Sequence, residues 1–262
     1  MFWGEQIGPE SLRLLGMATT LDSPESQSQS SKSDYFVSRW FQGGSWGDYS
    51  FYGTPVRGIV DENKGADVEV GCIGCWKKLR EEEKSLFEHE ALSALLKELR
   101  HSGWVSLRLS TAAKGVLLGL ECGVPSWGLY ALCESLPEGL GGFFQDPLNT
   151  RMRESWVVSQ ILSTWPWPLL TSEIKRTQIK KPSEQAEKHI WLGNHKIFRD
   201  QIVIDSPGIV GVVTAWDHHP QAAWARTTRT CRGLGVRQSQ WRSDGWRAVE
   251  QTWQKLDEAH GT

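Results

Sequence analysis

The chain has 262 residues, a formal net charge of −2 and 39% hydrophobic residues. That length holds one large domain or two small ones and can bury a core. The near-neutral charge excludes a chain that binds nucleic acid through overall basicity. No uncharged apolar run of about 18–20 residues is present, which argues against a membrane-spanning helix. The N-terminus has neither a basic start nor an apolar stretch, so no secretory signal is expected. Five cysteines are an odd, low count, which points to a reducing compartment, cytoplasmic or nuclear. The unusual number is tryptophan, at 15. So many indoles cannot all be buried with their N–H groups paired, and some are expected at the surface or at an interface.

Along the chain, residues 1–34 read as an N-terminal segment that ends in a flexible Ser/Gln-rich linker over 22–34. Residues 35–71 carry closely spaced aromatic residues between glycines, the pattern of short antiparallel strands. Residues 77–101 contain no Gly or Pro. Phe87, Leu92, Leu95, Leu96 and Leu99 repeat there at helical spacing, so one amphipathic helix is expected. Its apolar stripe reads first as a core face and second as a docking face for a partner. Strands are expected at Trp104–Leu109 and Val116–Leu120, an irregular stretch over 121–149, and a helix over 150–163.

Residues 171–188 are polar and form the expected connection between an α+β domain at 35–170 and a C-terminal unit at 189–262. Two β-branched runs flank Asp205-Ser206-Pro207-Gly208 and read as a hairpin across that loop. Trp246, Val249, Trp253 and Leu256 predict a closing helix over 243–260. The expected fold is α+β: an aromatic-rich antiparallel β region packed on an amphipathic helix, with a C-terminal β-hairpin and helix.

Three groups of residues carry candidate chemistry. Cys72 and Cys75 have the spacing of half a zinc site, and His89 follows at finger-like distance. The fourth ligand is open among His101, Cys122 and Cys133, and the same pair also reads as a redox motif or as two ordinary thiols. The segment 224–247 interleaves Arg226, Arg229, Arg232, Arg237, Arg242 and Arg247 with Trp224, Trp241 and Trp246. Guanidinium groups hold phosphates and indoles stack on bases, so Arg226, Arg229, Arg232, Arg237, Trp241 and Arg242 are the expected contacts if single-stranded nucleic acid is bound. Asp217 beside His218 and His219 has the composition of an acid–base pair. No phosphate loop, nucleophile elbow or paired-histidine metalloprotease motif occurs.

The Trp-, Arg-, Ser- and Gly-rich composition resembles that of viral accessory proteins. Residues 136–140 have the Leu-Pro-x-x-Leu form seen in some viral F-box-like proteins. The resemblance implies a non-enzymatic accessory or regulatory protein that acts through a protein partner; the Arg/Trp pattern gives the second reading, nucleic-acid binding through 224–247, aided by the zinc half-site.

Overall fold

The structure is a computed structural model. It describes residues 6–7, 34–61, 66–111, 116–125, 127–150, 152–165, 167, 175–198, 201–206 and 208–260. The linker expected at 22–34 lies outside these residues except for Asp34, the first residue of β2.

One large antiparallel sheet organises the chain. Its strands are β1 (Gln6–Ile7), β2 (Asp34–Gln42), β3 (Ser45–Asp61), β4 (Ala66–Lys77), β5 (Gly103–Ser110), β6 (Val116–Glu121), β7 (Trp156–Thr164), β9 (Ile190–Leu192), β12 (Ile209–Asp217) and β13 (Ser239–Gln240). The order is β1-β6-β5-β2-β3-β4-β7-β12-β9, with β13 also on β7. A second sheet of three strands, in the order β10-β11-β8, is formed by β8 (Lys175–Lys180), β10 (His195–Phe198) and β11 (Gln201–Ser206).

Strand alternation divides the large sheet into two buried faces. Tyr35, Val37, Val105, Leu107 and Leu109 point to one of them. Four helices cover it: α1 (Glu81–Phe87), α2 (Glu90–Glu98), α6 (Pro220–Gly233) and α7 (Gly245–His260). Phe36, Trp40, Phe51, Trp104 and Val157 point to the other face, under α3 (Gly128–Glu134) and α4 (Gly139–Gln145). The short α5 (Glu184–Glu187) precedes β9. A third cluster joins Ile179, Ile202 and Ile204 of the small sheet to Leu162, Val210 and Val213 of the large one.

The α+β class and the closing helix agree with the sequence pattern. Four expectations differ, each for a physical reason. The helix over 77–101 is two helices. At the junction His89 caps α2, its ring accepting Ala91 N–H at 3.3 Å, while Arg39 holds Glu88 at 3.2 Å. The helix expected at 150–163 is β7, a central strand buried on both sides, where periodicity no longer distinguishes strand from helix. The irregular stretch 121–149 contains α3 and α4. The runs either side of Asp205–Gly208 do not pair with each other: β11 pairs with β10 and β8, and β12 pairs with β7 and β9.

Strands on either side of the connection expected at 171–188 lie next to each other in the sheet. β7 and β12 pair from Ser163↔Ile209 to Trp156↔Asp217, and β8 and the Ser183-capped α5 occupy the connection itself. No described helix is long and apolar enough to cross a membrane. The tryptophan expectation holds in part: Trp165 is 55% exposed, and the buried indole N–H groups of Trp76, Trp246 and Trp253 have no hydrogen-bond partner.

Candidate functional site

The expected zinc ligands do not meet. Cys72 and Cys75 lie three apart on the extended strand β4, so they point to opposite faces. Cys72 packs in the core under α3, and Cys75 in the core under α1 and α7. A two-residue spacing that suits a turn separates the thiols when it falls in a strand. Burial pushes the Cys75 thiol up to about 12 and raises Cys72 well above its ordinary value. His89 is occupied as the cap of α2. Among the described residues no three metal-ligating side chains come together.

The arginine-rich segment is mostly the helix α6 and the turn after it. Arg226 pairs with Asp217 at 2.7 Å, and Arg242 with Asp244 at 2.8 Å. Arg229, Arg232 and Arg237 are exposed. The indoles face inward: Trp224 is buried and donates to the Arg242 carbonyl at 2.9 Å, and Trp241 packs against the third core cluster. An array of arginines interleaved with stacking indoles is therefore not displayed. Asp217 is taken by Arg226 and the His219 amide, while His218 stands edge-on to Trp216. Leu136 of the Leu-Pro-x-x-Leu segment is a core residue, 5% exposed.

The structure gathers charge at a place the sequence reading passed over. Glu69 on β4, Arg108 on β5 and Glu121 at the end of β6 meet on the α3 side of the sheet. Arg108 Nη1 lies 3.7 Å from Glu69 Oε1, and Arg108 Nε lies 4.0 Å from Glu121 Oε2. All three side chains are between 19% and 25% exposed. The Trp127 indole, at the start of α3, donates to the Glu69 carbonyl at 2.9 Å and fixes the strand beneath the helix. Alongside, the Ser38 and Ser106 hydroxyls are 2.6 Å apart, and Ser106 donates to the Gly123 carbonyl.

Two polar atoms in this cluster are buried without a hydrogen-bond partner, Glu69 Oε2 and Arg108 Nε. Burial pushes the Glu121 carboxyl up, Arg108 draws it back down, and Glu69 adds to the rise. The sequence signal was small but real. Glu69 stands between Val68 and Val70, and Arg108 between Leu107 and Leu109, so each is a lone charge in an apolar alternation.

A second polar cluster stands at the other end of α3, on the same side of the sheet. The Glu134 carboxylate faces His189 Nδ1 at 2.9 Å and accepts the Thr214 hydroxyl at 2.5 Å. At 1.5 Å per residue, α3 sets the two clusters roughly 10 Å apart along its axis.

No family model matches the chain. No curated protein matches it. Solved structures do. Phosphoribosylamine–glycine ligase from Thermotoga maritima has 11% identity and a TM-score of 0.55, over 80% of this chain and 55% of that one. Phosphoribosylglycinamide synthetase from Anaerococcus prevotii has 8% identity and a TM-score of 0.46, over 78% and 53%. The biotin carboxylase domain of 2-oxoglutarate carboxylase from Hydrogenobacter thermophilus, in complex with MgADP, ADP and bicarbonate, has 10% identity and a TM-score of 0.44, over 88% and 51%. The chain thus spans about half the length of these structures.

The T. maritima likeness shows the fold alone: 80% of this chain shares its architecture with part of that ligase. It corrects the expectation of a non-enzymatic accessory or regulatory protein of viral origin: the architecture is shared with an enzyme. Composition misled because most of the described tryptophans lie in the core or pack against it rather than forming an interaction surface.

Proposed function

We propose that this chain is part of a ligase-type enzyme that joins a carboxylate to an amine, and that Glu69, Arg108 and Glu121 receive an amino-acid-like zwitterion. The observation that carries the reading is a guanidinium set between two carboxylates, with Glu69 Oε2 buried and unpartnered. Arg108 holds the carboxylate of the zwitterion as a forked donor. Glu69 and Glu121 accept hydrogen bonds from its ammonium group. Glu121, raised by burial, is suited to take one ammonium proton, which leaves the amine neutral with its lone pair free. The T. maritima neighbour is named for phosphoribosylamine and glycine, an amine and an amino acid, which supports this substrate class.

The biotin carboxylase domain from Hydrogenobacter thermophilus is in complex with MgADP. Glu69 and Glu121 are the carboxylate pair nearest to a metal site on this face, but the Arg108 charge lies between them and repels a divalent cation. These residues do not fit a magnesium ion, and no step here runs through metal or nucleotide.

Titration of the purified chain with glycine, glycinamide and N-acetylglycine, followed by calorimetry or amide chemical shifts, tests the reading. Saturable glycine binding is expected, with each analogue at least tenfold weaker because it lacks one charge. Arg108→Met and Glu69→Gln should each weaken glycine at least tenfold. Equal response to the three compounds, or no saturable response to glycine, overturns the proposal.

A further inference from the structure

Glu69 and Arg108 both stand at irregular points of the sheet. Along β3 and β4 the register steps from Val56↔Gly71 to Arg57↔Glu69, so Val70 is an extra residue and Glu69 sits beside a bulge. Along β5 and β6 it steps from Arg108↔Gly119 to Leu109↔Leu117, so Leu118 is an extra residue next to the Arg108 rung. A bulge leaves one residue outside the ladder and re-aims the side chains beside it. On its other edge β4 pairs with β7 from Gly71 to Gly74, and Glu69 lies beyond the last of these rungs. The ladder with β7 therefore does not hold Glu69.

A side chain holds it instead. The Trp127 indole N–H donates to the Glu69 carbonyl at 2.9 Å. Trp127 is itself fixed at two further points. Its carbonyl accepts the hydroxyl of Ser159, a fully buried residue of β7, at 2.6 Å. Its ring stacks on Tyr130 of α3, with centroids 6.0 Å apart and planes at 24°. Through Trp127 the bulged end of β4 is tied to both β7 and α3. Arg108 and Glu121 are on β5 and β6, which β2 and β3 separate from β4 and β7 in the sheet order. The tie acts on Glu69 directly and on the other two only through it.

We infer that Trp127 is a positioning residue for the ammonium half of the zwitterion site, holding Glu69 where its unpaired carboxylate oxygen meets the ammonium group. This role rests on the zwitterion site proposed for Glu69, Arg108 and Glu121. Glu69 Oε1 lies 3.7 Å from Arg108, whereas Oε2 is buried without a hydrogen-bond partner. Oε2 is thus the oxygen left for a donor on the ligand. A carboxylate accepts within a narrow range of distance and angle, so a strand end free to shift by about 1 Å loses that bond. The ligand's own carboxylate is held by Arg108 and does not depend on Trp127. Loss of the indole N–H therefore weakens ligands that carry an ammonium group and spares a ligand that lacks one.

The full chain and two variants are titrated with glycine, glycinamide and N-acetylglycine. Trp127→Phe removes the donor. Benzothienylalanine placed at position 127 keeps the bicyclic ring and its stacking on Tyr130 but carries sulfur in place of the N–H. Both variants should weaken glycine and glycinamide severalfold, the worth of one hydrogen bond, and leave N-acetylglycine unchanged. In a Glu69→Gln chain, Trp127→Phe should add no further loss. A role in folding alone would weaken all three ligands together, because it lowers the share of competent chain. Saturable glycine binding by the wild type, with the three ligands weakened alike in the variants or none of them weakened, overturns the role of Trp127 and leaves the zwitterion site standing. A wild type without a saturable response to glycine overturns the zwitterion site and this role with it.

Discussion

The ring of Phe36 occupies the space that a side chain at Gly53 would need: a Cβ there would stand 2.2 Å from Phe36 Cζ. Gly128, at the start of α3, meets the same ring, with a Cβ position 2.4 Å from Cζ. One phenylalanine of β2 is thus held between a strand and a helix that both give up their side chains to it. Gly53→Ala should cost about 1–3 kcal/mol through overpacking. Phe36→Leu in the same chain should recover part of that loss, because it removes the colliding atom. Urea midpoints of the two single variants and the double variant give the coupling. Additive losses would show that the ring is free to move aside.

Glu83 is 1% exposed and is the common acceptor for Tyr35, at 2.9 Å, and for Tyr52 and Arg80. Burial, reinforced by the Glu83 charge, raises both phenols, so they remain donors at every pH the fold tolerates. Glu83→Gln should cost about 2–3 kcal/mol, because it leaves Arg80 without its ion-pair partner. Replacing Arg80 and Glu83 together with apolar residues should cost less than Glu83→Gln alone. Denaturation curves of the two variants check the order.

The pairing of His189 with Glu134 gives stability a defined dependence on pH. The Glu134 carboxylate, 2.9 Å from Nδ1, raises the imidazole above its ordinary value of 6.5, with burial, Arg153 and Lys188 opposing. The charged ring is therefore favoured by folding. Its contribution is complete below about 6.5 and fades as pH rises through the higher folded-state value. The wild type should exceed His189→Gln in urea midpoint by the most at pH 5–6, and the difference should shrink toward pH 9. A difference that stays constant over that range would show that the ring does not titrate with folding.

The five thiols should react in two groups. Cys72, Cys75 and Cys231 are buried, and Cys122 and Cys133 are half-buried. Burial raises all five, Cys75 and Cys231 to about 12 and Cys133 to about 11. Near neutral pH a thiol reagent should label Cys122 and Cys133 slowly in the native chain and reach the other three only after denaturation. Fast labelling of Cys72 or Cys75 without denaturant would mean that β4 opens readily.

Legibility in the sequence followed the physics of each segment. The aromatic strands β2 and β3 and the helix α7 were readable because each has a regular apolar period. β7 was not, because a strand buried on both faces loses its alternation. α3 was hidden by Gly123, Pro125 and Gly128, which read as loop although Gly128 is a packing position against Phe36. Of the candidate sites, the adjacent pairs Cys72–Cys75 and His218–His219 attracted notice and the structure parts or occupies them. Glu69, Arg108 and Glu121 come from three separate strands, and Glu134 and His189 from distant segments. Only the sheet order brings these together, and a single sequence does not state that order.

The Lys77–Asp257 ion pair joins residues 180 apart. Asp257 belongs to α7, whose Trp253 meets Trp156 of β7 at 4.5 Å between ring centroids. The face of β3 and β4 on which α7 packs therefore has no cover from α7 until nearly the last turn of that helix has left the ribosome. At ordinary rates of synthesis that interval is on the order of ten to forty seconds. Long-range closure of this kind makes for slow folding. A chain stopped before residue 245 would leave that apolar surface open to water.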